Sequence, residues 1–272
     1  MSGGLAPAPG LELIARIEAH SVLAWPAAVV ERLDDGWILR ATPGLPGRGR
    51  SNHALTPVRP LDRGEYDSAL ARVAAFAGEH GIGCGLHISP IDVHVPLLDV
   101  LAVRGWDIQQ SVVVMTGDTA LVAGEADPSV QLEVTDTATP EWVAAWAHCD
   151  RRPDVQEHVE HVFPRMAGVA RFARYGEQAT GISVEIDGII GLFCIAVAPE
   201  ARRQGLGKKL VRAMLAQHEA PLTYLQVFSE NTAGAALYES LGFSEQFRYC
   251  HAVPASAGSG PGTAAAASGD GC

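Results

Sequence analysis

The chain reads as an α/β protein with a mixed sheet, built from two related halves. Three observations point there. Strand and helix patterns alternate, with hairpin and crossover spacings side by side. One segment of the first half is echoed in the second. Leu86-His-Ile-Ser, a helix, then Arg104-Gly105-Trp106 and an apolar strand matches Leu225-Gln-Val-Phe, a helix, then Leu241-Gly242-Phe243 and a strand. Finally, an apolar run ending at Val197 passes through a glycine-bearing loop into an amphipathic helix.

The elements follow in order. Residues 1–10 are small and Pro-rich, the mark of a loose terminus. Residues 11–25 predict a helix, and 27–34 and 36–42 two strands that turn at Asp35-Gly36. Pro and Gly make 43–50 a loop, and 51–56 predicts a short strand. Over 65–80, Leu70, Val73, Ala74 and Ala77 fall at i, i+3, i+4 and i+7, which predicts an amphipathic helix. A strand at 84–89, a helix at 95–104 and a strand at 108–115 complete the first half, residues 1–120. Small and polar residues from 117 to 129 predict a linker, set at 121–129.

The second half, 130–253, opens with a strand at 130–135. Helices over 140–165 begin at Pro140, a residue suited to a first helical turn. Strands at 169–174 and 180–186 and a turn at Asp187-Gly188 lead into the apolar run 189–197. The helix 206–218 gathers Leu206, Leu210, Met214 and Leu215 on one face. A strand at 223–228, a helix at 234–241 closed by Gly242, and a strand at 246–253 follow. The tail 254–272 is almost wholly Ala, Gly and Ser and predicts disorder.

Composition narrows the function. With 47% hydrophobic residues, 272 residues can bury a sizeable core as one large domain or two small ones. A net charge of −11 argues against nucleic-acid binding across the surface. The five cysteines show neither CxxC pairing nor zinc spacing, which favours a reduced, cytoplasmic protein without a metal. No signal peptide and no run of about 18 apolar residues is found, so no membrane partner is expected.

The chemistry concentrates in Val197-Ala-Pro-Glu-Ala-Arg-Arg-Gln-Gly-Leu-Gly-Lys-Lys-Leu210. A strand–loop–helix junction aims backbone N–H groups at one point, and the helix adds about half a positive charge there. Gly205 and Gly207 admit a diphosphate close to the backbone, ringed by Arg202, Arg203, Lys208 and Lys209. A P-loop fails because Lys208 is followed by lysine, and a dinucleotide fingerprint fails at Leu210. The R-x-x-G-x-G spacing from Arg202 to Gly207 resembles the pyrophosphate loop of the GNAT superfamily of acyl-CoA N-acyltransferases. Asn231, Tyr238 and Gly242-Phe243 resemble the superfamily's N-x-x-A-x-x-x-Y-x-x-x-G-F ending, with Gly234 in place of the alanine. The resemblance covers residues 130–252. The first half fits only the fold pattern, because Thr56-Pro-Val-Arg-Pro-Leu-Asp-Arg-Gly stands where the glycine loop would be. The pair therefore resembles a tandem GNAT with one working site and a degenerate N-terminal half.

That resemblance implies acetyl-CoA as cosubstrate and a primary amine, on a small molecule or a peptide, as acceptor. It implies a cofactor site of Ala196, Val197, Arg202, Arg203, Gln204, Gly205, Leu206, Gly207, Lys208 and Asn231. Backbone N–H groups over 195–197 would meet the oxyanion, and Tyr238 would protonate the leaving thiolate. Asn231 either reaches the cofactor arm or caps the helix after it. The strand before the loop carries no acid, so Glu185, Glu230 or water is the base. Cys194 as an acyl carrier is the weaker alternative to packing. Trp142, Trp146, Asp150, His158 and His161 either line the acceptor pocket or form an ordinary helix face, and Trp25, Trp37 and Trp106 read as core. A CoA-binding scaffold without turnover is the competing function.

Overall fold

A computed structural model describes residues 9–45, 47–125, 127–151 and 154–255. Most of the expected Pro-rich terminus and Ala/Gly/Ser tail lies outside these described residues.

The chain opens with helix α1 (Pro9–Ala24), hairpin strands β1 (Val29–Arg32) and β2 (Ile38–Ala41), and one helical turn, α2 (Gly49–Asn52). Strand β3 (Ala54–Leu55), helix α3 (Tyr66–Glu79), β4 (Leu86–Ile88) and α4 (Val95–Val103) follow. Next come β5 (Trp106–Ile108), β6 (Val112–Asp118) and α5 (Thr119–Ala123). The second half contains β7 (Glu133–Thr135), α6 (Pro140–Asp150), α7 (Val155–His161), β8 (Val169–Tyr175), β9 (Ala179–Ile186) and β10 (Ile189–Val197). Helix α8 (Leu206–Leu215), β11 (Leu222–Phe228), α9 (Thr232–Glu239) and β12 (Ser244–Pro254) complete it.

Three expectations are corrected. The strand expected at 51–56 shrinks to β3, its first two residues belonging to the turn α2, where Asn52 commits its amide to the carbonyl of Leu45 and the N–H of Thr42 rather than extending. The strand expected at 108–115 breaks in two, β5 and β6, which both pair with β12, the N–H of Gln109 still meeting the carbonyl of His251 at 2.8 Å. The linker is not a free tether. Asp118 caps α5 by accepting from the N–H of Leu121 at 3.0 Å, and Asp127 pairs with Lys209 of α8 at 2.9 Å.

The sheet runs β1-β2-β3-β4-β12-β6-β11-β10-β9-β8-β7, with β5 beside β12. Read outward from the central β12–β6 pair, both sides give the same succession. Each has an antiparallel neighbour (β4 or β11), then a parallel one (β3 or β10), then two antiparallel ones, and β7 adds a third on the β10 side. The internal repeat is thus visible in the topology: β4 answers β11, α4 answers α9 and β6 answers β12. Gly105 and Gly242, which follow the matched helices, both sit at positive φ, 75° and 100°. The two closing strands are exchanged. Val112–Asp118 of the first half lies against β11, and Cys250–Ala252 of the second lies against β4. A boundary at residue 120 therefore divides the sequence but not the sheet.

Side chains alternate across this sheet. On one face α8 and α9 cover Ile190, Leu192, Leu225 and Val227. On the other α1, α6 and α7 cover Phe193, Tyr224, Ile182 and Val184. A third cluster, around Trp37, Val73, Phe76 and Leu101, sits under α3 and α4.

Candidate active site

Strands β10 and β11 pair in parallel only from Ile189–Leu222 to Gly191–Tyr224. Beyond that they part. A bulge between Phe193 and Ala196 turns β10 away, with Cys194 in the left-handed region at φ 52°. Cys194 is fully buried among core residues, which fits packing better than an exposed acyl carrier. Past the bulge, Ile195 and Val197 of β10 line a cleft of about 610 Å³ on the α8 face, large enough for a cosubstrate arm.

The loop after β10 shapes one end of the cleft. Arg203 and Gly205 are both left-handed, at φ 64° and 76°, so successive N–H groups turn to one side as an anion-binding nest. Gly205 is the N-cap of α8 and lends no side chain to its first turn, which leaves those donors facing the cleft. Arg202 is braced by the carbonyls of Val197 (2.9 Å) and Cys149 (3.4 Å). A Cβ on Gly207 would meet Leu237 and Val197 at ordinary contact distances of 3.5 and 3.6 Å.

Helix α9 forms the facing wall. Asn231 is its N-cap, accepting from the N–H of Gly234 at 2.9 Å, and also lines the cleft. Gly234 is explained by this cap, because a Cβ there would lie 2.6 Å from the Asn231 amide. Tyr238, one turn on, is 9% exposed, lines the cleft and packs edge-on against Phe243 at 5.9 Å.

Of the expected cofactor residues, Val197, Arg202, Arg203, Gly205, Leu206, Gly207 and Asn231 line this cleft together with Tyr238. Ala196, Gln204 and Lys208 do not. Ala196 packs into the core, Gln204 donates to the carbonyl of Glu200, and Lys208 donates to the carbonyl of Ser240 at the end of α9. Ala233 and Leu237 were not expected here, and Ile195 was expected only for its backbone N–H. Alternation along β10 and the i, i+4 spacing of 233 and 237 are the signals that mark them.

Neither expected carboxylate joins Tyr238. Glu185 pairs across the ladder with Ile190, at the end of β9 remote from the bulge, and clasps His218 at 2.6 Å. Glu230 is exposed on the loop before α9 and does not line the cleft. The proposed acceptor residues also move. Trp142, Trp146 and His158 are fully buried core, with the Trp142 indole bonded to the carbonyl of Ala173, and His161 lies against Gly44.

In the first half, the counterpart of the parted strands is closed. Past Leu55–His87, the hydroxyl of Thr56 accepts from the N–H of Ser89 at 3.0 Å and donates to its carbonyl at 3.1 Å. The following helical start is capped by the chain's own carboxylates, Asp62 and Glu65.

A family model described as probable histone acetyltransferase Rv0428c, C-terminal, matches residues 13–252. The chain belongs to that family, and so to the GNAT N-acetyltransferases. This acetyltransferase is 27% identical to the uncharacterized N-acetyltransferase YobR of Bacillus subtilis, over 85% of the chain and 94% of the relative. Its fold is similar to a GCN5-related N-acetyltransferase from Kribbella flavida, with TM-score 0.67, 18% identity, and 95% and 98% of the two chains covered. It is also similar to a tandem GNAT protein from the clavulanic acid biosynthesis pathway, with TM-score 0.57, 14% identity, and 92% and 89% covered. The GNAT enzyme thus carries a mixed α/β acyltransferase fold. Among its described residues no helix is long and apolar enough to cross a membrane.

Proposed function

We propose that the cleft binds acetyl-CoA and delivers its acetyl group directly to a primary amine of a small molecule or peptide. The observation that carries this reading is the open N-terminus of α8, with its left-handed nest, placed at one end of a slot whose wall holds Tyr238. The nest and Arg202 hold the pyrophosphate. Backbone N–H groups of the bulged segment 195–197 stabilise the oxyanion as the C–N bond forms. Tyr238 donates its hydroxyl proton to the thiolate as the C–S bond breaks. No carboxylate lines the cleft among the described residues, so the amine gives its proton to water. None of the four described cysteines is in a disulfide, which supports a reducing, cytoplasmic setting. The closed strands and capped loop of the first half support one working site per chain.

The test is calorimetric titration with acetyl-CoA beside a Gly207→Glu variant. The space at Gly207 accepts a side chain, so the variant acts through its charge. Micromolar binding to the wild type and none to the variant is expected, followed by acetyl transfer to an amine panel. The cleft's lack of a carboxylate also supports a second reading, CoA binding without turnover. Binding without transfer to any amine would favour that reading.

A further inference from the structure

The cofactor slot exists because β10 and β11 stay apart beyond Gly191 and Tyr224. Facing strand edges carry unpaired N–H and C=O groups and tend to close on one another. On the α8 face the bulge turns β10 aside. On the opposite face, the angle between the strands is filled from the other half of the chain.

Arg50, on α2, is 4% exposed. Its guanidinium carbon lies 5.9 Å from the ring of Phe193 on β10 and 5.9 Å from the ring of Trp25, and those two rings stack on each other. Its Nη2 donates to the side-chain oxygen of Gln226 on β11 and to the hydroxyl of Tyr249 on β12 at 3.3 Å. The Gln226 amide is locked from both ends. Its oxygen also accepts from Tyr249 at 2.8 Å, and its nitrogen donates to Ser21 at 3.4 Å. Phe193 is the last residue before the bulge, and Gln226 lies two residues past the last parallel pair. Gly191 makes the close fit possible, since a Cβ there would fall 2.7 Å from the Phe193 ring and 3.0 Å from that of Tyr224. One planar cation from the first half therefore spans both strands where they diverge.

We infer that Arg50 is a positioning residue that sets the width of the slot entered by the pantetheine arm. This rests on the cofactor reading of the cleft above. A guanidinium has fixed in-plane geometry and can face an aromatic ring while hydrogen-bonding to an amide. A lysine ammonium reproduces the charge without that shape. The first half thus acts on the working site through the strand spacing rather than by touching the reacting atoms.

The test compares two probes by calorimetry. Adenosine diphosphate occupies only the pyrophosphate loop, and acetyl-CoA needs loop and slot together. In Arg50→Met, whose flexible side chain still fills the gap between the rings, acetyl-CoA affinity should fall on the order of tenfold, as for loss of one charge-assisted hydrogen bond. Adenosine diphosphate affinity should stay within about twofold. Gln226→Met breaks the same bridge from the other strand and should give the same split. The double variant should be no worse than the weaker single, and Arg50→Lys should fall between. Unchanged acetyl-CoA binding in Arg50→Met and Gln226→Met would overturn the inference. So would a parallel loss of both probes, the signature of general damage. A wild type that binds adenosine diphosphate but not acetyl-CoA would instead remove the cofactor reading, and this inference with it.

Discussion

Tyr238 and Glu185 show what a single residue's position decides. Tyr238 sits about two turns along α9 from the capped end and lines the cleft, where the proposed reaction needs an acid for the leaving thiolate. Tyr238→Phe should lower kcat by about a hundredfold, in the range of a lost general acid, while leaving acetyl-CoA affinity unchanged. Calorimetry and initial rates measured together check this, and equal rates in the two proteins would remove the acid role. Glu185 had the right chemistry in the wrong register. Asp187 and Gly188, at φ 49° and 75°, form the tight turn that the sequence marks, and that turn pairs residue 185 with 190 and, past the bulge, residue 179 with 197. Carried through, the hairpin register places Glu185 far from the loop. The spacing from Asn231 to Phe243 was legible because each position does something local. Asn231 caps the helix, Tyr238 walls the cleft and Gly242 stops the helix.

Helix α8 carries the loop that defines the site, so its seating matters as much as any side chain. Leu210, Val211, Met214 and Leu215 are all buried against the sheet. Leu210→Ala should destabilise the protein by about 2–5 kcal/mol, read as a lower denaturation midpoint with unchanged slope. Gly205→Ala should cost about 1 kcal/mol, because the residue sits at φ 76°, and should also weaken acetyl-CoA binding by distorting the nest. The periodicity of α8 was plain in sequence. The helical turn at 49–52 and the break between β5 and β6 were not. Both depend on partners far along the chain: Arg50 reaches Gln226, and Gln109 meets His251. A local pattern of alternating or polar residues holds no record of such partners.

For the whole molecule, the buried histidines make stability depend on acid. Burial pushes His20 and His94 down to about 4 and His251 down to about 3, so all three stay neutral in the fold. Below an unfolded value near 6.5 the unfolded chain binds protons that the fold refuses. Stability should therefore be full above pH 6.5 and fall as the pH drops toward 4, by about 1.4 kcal/mol per pH unit for each histidine. Urea titrations at stepped pH check this, and a flat profile between pH 7 and 5 would contradict it. The exchanged strands make the halves interdependent. Residues 130–252 expressed alone lack β4, β5 and β6, which leaves β11 with an open edge and β12 without any of its neighbours, and should aggregate. Co-expression with a fragment ending after α5 should restore a soluble complex.

The same exchange sets a schedule for synthesis. When the first half leaves the ribosome, β4 has no neighbour on one side, because the segment that will lie there, Cys250–Ala252, has yet to be translated. Its own closing strand, meanwhile, is held ready for a sheet that does not yet exist. The nascent chain must wait, half-closed, through more than a hundred further residues, and one late strand then completes both halves at once.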